Sequence, residues 1–418
     1  MLKIITGNEE EAEEKMSLDD LAREGARRMI QAALEAEVED YINLLREERD
    51  ETNRARVVRN GKAKPRRLTL GSGTVEIQTP RINDKRKGYK FSSGILPPYV
   101  RRSPNVSNVL PILYLRGLST GDFRPALQEL LGEDASGLSS SSISRLVDQF
   151  YDEYQSFRRA DLSKKEYVYI WADGVHFNIR LEEDRLAVLV IVGVTAEGRK
   201  EVIAIEDGYR ESTESWLSVL RDLKRRGFAA PRLAVADGAL GFWKALTDVY
   251  PETERQQCWV HKIANVLDKL PKRLQARAKA QLHEIMKAPT AKSAQEEKTK
   301  FVEDYKAKYP KATTSLERDW DHLITLYHYP AEHWIHLRTT NPIESTFSTV
   351  KLRTRVTRGA GSRRAGLSMA YKLLMMAQDN WRAINEPKLV RDVLNNQKFV
   401  DGILISSKKK TTKKRVAA

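Results

Sequence analysis

The stretch Leu233-Ala-Val-Ala-Asp237-Gly-Ala-Leu-Gly241-Phe, running on through Val249-Tyr-Pro251 to Gln256-x-Cys258-x-x-His261, decides how the chain is read. Leu233 to Ala236 is a short apolar run of the kind that forms a buried strand. It stops at Asp237-Gly238, where glycine admits the backbone angles of a sharp turn. Phe242, Ala245, Leu246 and Val249 then recur at helical spacing until Pro251. An acid at the carboxyl end of a buried strand is where open α/β sheets place their chemistry. Asp-Gly also marks ordinary surface turns, and this pair alone does not separate the two readings.

A second strand end sharpens the choice. Tyr167 to Ala172 is another apolar run, and it too meets Asp-Gly, at Asp173-Gly174. If the two strands are parallel neighbours, both carboxylates enter one small volume. Two like charges about 4 Å apart repel by roughly 4 kcal/mol at an effective dielectric near 20. Such a pair raises a pKa or recruits a cation, and oxygen ligands alone favour magnesium or manganese. Residues 166 to 237 read as strands Tyr167 to Ala172, Leu186 to Val194 and Val202 to Ile205, a helix from Ser215 to Arg226, and the strand Leu233 to Ala236. Three antiparallel strands, a crossover helix and a strand beside the first make an α/β layer. Asp207-Gly208 follows the third strand, two strand spacings from the first, so Asp207 reads as a turn residue.

The chain of 418 residues is long enough for two to four domains, and its net charge of +15 favours a polyanionic partner. One cysteine excludes an internal disulfide and any multi-cysteine zinc finger, which fits a reducing cytoplasm. The acidic first residues are unlike a signal peptide. The run Ala187 to Val194 falls far short of the ~20 apolar residues that span a bilayer, so no membrane partner is expected.

Leu18 to Glu48 reads as one helix with a stripe of Ile30, Leu34, Val38, Tyr41 and Leu45, either core or a dimer seam. A basic segment from Arg54 to Arg67 contains Arg59, Arg66 and Arg67, and the loop Arg81 to Lys90 is also basic. Leu68, Leu70, Val75 and Ile77 alternate around Gly71-Ser-Gly73, a hairpin signal. Three short helices are expected between Pro104 and Tyr154: the first from Asn108 to Leu115, the second capped by Ser119, the third opening near Ile143 and Arg145. They suit either a helix-turn-helix or a plain helical linker. Ile263 to Leu326 is helical in pattern throughout. Ser345 to Gln378 contains no acid but carries Lys351, Arg353, Arg355, Arg358, Arg363, Arg364 and Lys372, a phosphate-binding run or a solvated helix face. Asn341-Pro-Ile-Glu344 is also a helix start in which Glu344 completes a capping box.

Taken together, Asp173-Gly, the segment around Glu214 to Leu217, Asp237-Gly-Ala-Leu-Gly241-Phe, Val249-Tyr-Pro251, Gln256-x-Cys258-x-x-His261 and Thr339-Thr-Asn-Pro-Ile-Glu344-Ser resemble the mutator-type transposases of bacterial insertion sequences. Arg59-Asn-Gly and Gly117-Leu-Ser-Thr120 fit as well, and the likeness runs from about residue 20 to 395. The Trp216 position departs slightly from the looser form of its motif. The resemblance implies an α/β ribonuclease-H-like catalytic core interrupted by an all-α insertion domain, with an N-terminal, mainly helical DNA-binding region. On that reading residues 1–63 are an acidic lead and long helix, 64–160 a hairpin plus helix-turn-helix-like region, 161–265 and 339–395 the two parts of the core, 266–338 the insertion and 396–418 a basic tail.

It further implies a DDE triad of Asp173, Asp237 and Glu344 that holds two Mg2+ (or Mn2+) ions and cuts and joins double-stranded DNA at element ends and target. Expected DNA contacts are Arg59, Arg66, Arg67, Arg145, Lys351, Arg353, Arg355 and Arg358. A homodimer on DNA, in the bacterial cytoplasm with the nucleoid, follows from the same resemblance. A non-catalytic DNA-binding regulator and a nuclease or resolvase on the same fold are the competing functions. Cys258 and His261 cannot complete a tetrahedral zinc site without two more ligands, so they read as positioning residues beside the site, with His333 and His336 as candidate partners.

Overall fold

In the computed structural model residues 16–116, 118, 123–131, 140–179, 185–208, 212–238, 240–356 and 359–405 are described, in two units divided between Leu146 and Val147. The first unit opens with helix α1 (Leu18–Leu44). Ser17 caps it by accepting the Asp20 N–H at 3.1 Å while the Asp20 carboxylate reaches back, a reciprocal capping box. Leu34 packs against Leu68, Val75, Ile77 and Leu96, so the apolar stripe serves an intrachain core.

Strands β1 (Val57–Lys62), β2 (Arg66–Leu70), β3 (Gly73–Ile77) and β4 (Pro80–Asp84) follow. The expected hairpin is β2–β3, with Leu68 opposite Val75. The β1–β4 antiparallel pair lies where the sequence suggested basic loops. Only Val57 of β1 is buried, so no alternating apolar signal announced it.

Helices α2 (Pro104–Arg116) and α3 (Phe123–Leu131) share a core of Val106, Leu110, Leu127 and Leu131. Ser119 and the Gly132 to Gly137 connection lie outside the described residues. The third helix is not short: α4 (Ser140–Arg159) has 20 residues, and its larger part belongs to the second unit. There the Tyr154 hydroxyl donates to Ile205 O at 2.9 Å and Arg158 pairs with Glu206. From Val147 onward α4 thus belongs to the same unit as the sheet.

That sheet contains β5 (Tyr167–Phe177), β6 (Leu186–Thr195), β7 (Lys200–Gly208), then after α5 (Thr213–Arg225) strand β8 (Leu233–Ala236), and after α6 (Leu240–Val249) strand β9 (Glu254–Gln257). Its order is β7-β6-β5-β8-β9; β6 runs antiparallel to β5 and β7, while β8 and β9 are parallel to β5. Every residue of β6 is buried. Trp216 of α5 meets Phe242 of α6 edge-on at 5.0 Å within the core over the sheet. Two expectations need correction. β5 does not stop at Asp173 but continues to Phe177 along β6, and Asp207 lies within β7, opposite Val188, instead of in a turn. β9 was not anticipated, since Glu-Arg-Gln-Gln has no apolar run to signal a strand.

From Gln257 to Asn341 all regular structure is helical: α7 (Trp259–Leu267), α8 (Lys272–Lys287), α9 (Ala291–Tyr305), α10 (Pro310–Arg318) and the short α11 (Trp320–Leu323) and α12 (Trp334–Leu337), with two 3-10 turns. Helices α13 (Asn341–Val356) and α14 (Arg363–Gln378) then return to the sheet. No helix among the described residues is long and apolar enough to cross a membrane.

Buried Gln256 ties the helical stretch to β9: its amide donates to Leu323 O at 3.1 Å and accepts from Leu326 N at 2.8 Å. Truncating it strands buried backbone groups, at a cost of about 1–3 kcal/mol for an unmade bond. Gln256→Ala is expected to lower unfolding stability by about 2 kcal/mol in a denaturant titration; an unchanged midpoint would mean that water replaces the amide there.

Candidate active site

Three parallel strands are held in register. Ala172 of β5 stands opposite Ala236 of β8, which stands opposite Gln257 of β9. The next residues on these three strands are Asp173, Asp237 and Cys258. Neighbouring strands lie about 4.8 Å apart, so the backbone alone sets the two acids side by side. Asp173 Oδ1 accepts the Gly174 N–H at 2.8 Å. The Asp237 carbonyl accepts the indole N–H of Trp243 at 2.8 Å, which fixes the turn into α6. A Cβ at Gly238 would lie 2.7 Å from Gln257 Nε2, so that side-chain end would have to shift to admit one.

Cys258 extends the pattern, its N–H donating to Ala236 O at 2.8 Å while its side chain is wholly buried. Trp259 N donates to Arg338 O at 2.9 Å, closing the base of the helical excursion. Thr340, just before α13, is the residue that joins the two halves. Its N–H donates to Cys258 Sγ at 3.3 Å, and its hydroxyl lies within hydrogen-bond reach of both that sulfur, at 3.3 Å, and Glu344 Oε1. Its carbonyl accepts the N–H groups of Ile343 and Glu344. The alternative reading, a capping box on Asn341, is not what forms: Asn341 is already helical, and the Glu344 carboxylate meets Thr340.

His261 Nδ1 lies 3.8 Å from Glu344 Oε1, and the ligand atoms of Cys258, His261 and Glu344 all fall within 4.8 Å of one another. The side chain of Cys258 is the main influence holding the imidazole up at about 9; burial works against it, and the charges of Cys258, Glu344 and Asp237 add to it. Burial pushes the Cys258 thiol up, but hydrogen bonds with His261 and Thr340 outweigh it and leave the thiol below its ordinary value. Glu344 therefore lies beside Cys258 and His261, just past the end of β9.

His333 and His336 do not join this group. His333 Nδ1 bonds the Tyr169 hydroxyl at 2.8 Å, and His336 Nε2 faces Asn385 at 3.2 Å. Asp207 is held by two bonds from Arg363, at 3.0 and 3.1 Å.

The basic run divides by helix face. Glu344, Lys351 and Arg355 are spaced i, i+7 and i+11, one stripe of α13, and both cations are exposed. Arg353 lies on the opposite, core-facing side and is only 4% exposed, so the expected DNA contact there is withdrawn. Arg358 lies outside the described residues. Arg364 pairs with Asp148 at 3.0 Å and Lys372 pairs with Glu153, so these two fasten α14 to α4. In the first unit Arg59 pairs with Glu35, Arg66 donates to Leu96 O at 2.8 Å, and Arg67 and Arg145 are exposed. Thr340 was not singled out from sequence; a hydroxyl four residues before a helical acid was the available signal.

The family model described as "Transposase, Mutator family" matches residues 2–384. A transposase for insertion sequence element IS6120 from Mycolicibacterium smegmatis is 55% identical over 300 residues, 72% of this chain and 93% of that protein. A transposase for insertion sequence element IST2 from Acidithiobacillus ferrooxidans is 46% identical over 279 residues, 66% of this chain and 94% of its own length. A transposase for ISRM5 from Rhizobium meliloti is 27% identical over 92% of this chain and 94% of its own. With its motifs, its sheet and these relatives in agreement, the chain belongs to the Mutator family of transposases.

Proposed function

We propose that this transposase binds the terminal inverted repeats of an insertion sequence, cleaves DNA strands there and joins them to target DNA, with Asp173, Asp237 and Glu344 as its catalytic acids. The observation that carries the reading is the register Ala172 opposite Ala236, which delivers two carboxylates together at one end of a buried sheet. The sheet supports a ribonuclease-H-like core: three antiparallel strands, then two parallel ones beside the first. The helices between β9 and α13 support an all-α insertion. Double-stranded DNA is the partner that the net charge of +15 favours, and two element ends call for a homodimer.

The donor set fits a hard divalent cation. Asp173, Asp237 and Glu344 offer carboxylate oxygens, as magnesium and manganese prefer. Cys258 Sγ, the soft donor nearby, already accepts the Thr340 N–H at 3.3 Å. Two such ions, when bound, activate the attacking water or 3′-hydroxyl and stabilise the leaving oxygen. The chain's own part is to hold the oxygens: Asp173 and Asp237 by the ladder, Glu344 by Thr340. Lys351 and Arg355, on the Glu344 stripe, provide positive charge for phosphates entering that end.

Glu344→Gln is expected to fold and bind end DNA as the wild type does, yet to lose magnesium-dependent nicking and joining; Asp173→Asn and Asp237→Asn should behave alike. Near wild-type cleavage by the glutamine variant would leave Glu344 a helix-start residue and the triad wrong. Thr340→Val should raise the Mn2+ dissociation constant, read by calorimetry, by about 10- to 100-fold, as loss of an outer support does. Thr340→Ser should restore it, and a serine variant as impaired as the valine one would make Thr340 a packing residue only. The double variant Lys351→Gln/Arg355→Gln should flatten the plot of log affinity against log salt by about 0.9 for each phosphate that is no longer neutralised. An unchanged slope would assign the stripe to solvent.

A further inference from the structure

The first unit carries a second concentration of charge that the catalytic end does not use. Between β2, β4 and the segment 90–101 lies a cleft of about 820 Å3. Lys64, Arg66, Arg67, Arg81, Lys90 and Arg101 line it, and no acid among the described residues does. All but Arg66 are exposed. So many like charges around one cleft repel one another, and a polyanion relieves that repulsion. Arg66 braces the wall through Leu96 O at 2.8 Å and Pro97 O at 3.2 Å, and its Nε is buried without a hydrogen-bond partner.

The outer wall is held in place. Glu37 of α1 accepts from the Ser93 hydroxyl and from the N–H groups of Gly94, at 2.6 Å, and Ile95, at 3.3 Å. Phe91 packs on Tyr41 with ring centroids 4.9 Å apart. In this fastened segment Tyr99 lines the cleft with φ at +67° and 93% of its surface exposed. That backbone region is strained for a bulky residue, and strain of this kind collects at ligand clamps. A buried ring would offset the strain by packing, but this one faces solvent among exposed cations.

We propose that the cleft binds single-stranded DNA, with its cations on the phosphates and Tyr99 stacked on an unpaired base. The choice of single strand over duplex follows from the ring: stacking needs an open base face, which pairing within a duplex covers, and aromatic platforms among basic residues are how single strands are held. The inference rests on the transposase reading above and gives it a place for unpaired DNA next to an element end.

The test uses the full-length protein and two fluorescent probes, a blunt duplex carrying an element end and the same duplex with a short unpaired tail. The wild type is expected to prefer the tailed probe. Tyr99→Gly, which tolerates the positive φ, should lose on the order of tenfold in affinity for the tailed probe, while Tyr99→Phe keeps its ring and its affinity. Arg81→Gln/Lys90→Gln should flatten the salt dependence on the tailed probe by about 0.7 for each phosphate that is no longer neutralised. A Tyr99→Gly protein with the full preference for the tail overturns the proposal, as does a wild type that binds the blunt duplex equally well. Absence of binding to either probe removes the transposase reading along with it.

Discussion

The proposed catalytic end of the sheet depends on three parallel strands held in register. Backbone ladders fix Ala172, Ala236 and Gln257 across from one another, and the next residue on each strand inherits that alignment. A slip of one residue would send a carboxylate to the other face of the sheet, because side chains alternate. Register is specified strongly where a sheet is buried, and here β6 is buried along its whole length while Trp216, Phe242 and Leu246 cover the sheet over β5 and β8. Hydrophobic burial around β5, β6 and β8 is what holds that register.

The third acid comes from much further along the chain, and a different device holds it. The bond from Trp259 N to Arg338 O brings the start and end of the helical stretch together. Whatever the helices between do, the segment entering α13 is returned to the end of β9. Cys258 and Thr340 complete the junction through the sulfur, so the lone cysteine acts as a buried acceptor. On the proposed mechanism, Glu344 is placed by the same contacts that close the excursion, and folding of the helical stretch is a condition for assembling the site.

Apolar patterning made most of this legible in advance. β6, β8 and α5 declare themselves by runs and periodicity, and the pairing of β5 with β8 followed from strand order. What stayed hidden has physical reasons. β9 is a strand of Glu-Arg-Gln-Gln whose buried side chains are amides satisfied by backbone groups, so hydrophobicity does not mark it. β5 continues past Asp173-Gly174 because its ladder to β6 outweighs the local turn preference of that pair. Arg353 looked like its neighbours in a cationic run; only the helical phase, with Phe347 and Val350 on the buried side, shows that it faces inward. Asp207 was set aside for the right reason, its distance from β5, but its partner Arg363 could not be seen from spacing.

The central claim is that Asp173, Asp237 and Glu344 form one metal site. Manganese binding to the full-length protein, followed by electron paramagnetic resonance without DNA, tests it most directly. Wild type should bind Mn2+ with a signal that magnesium competes away, and Asp173→Asn, Asp237→Asn and Glu344→Gln should each weaken that binding while leaving the protein folded. Undiminished Mn2+ binding in all three variants would contradict the claim.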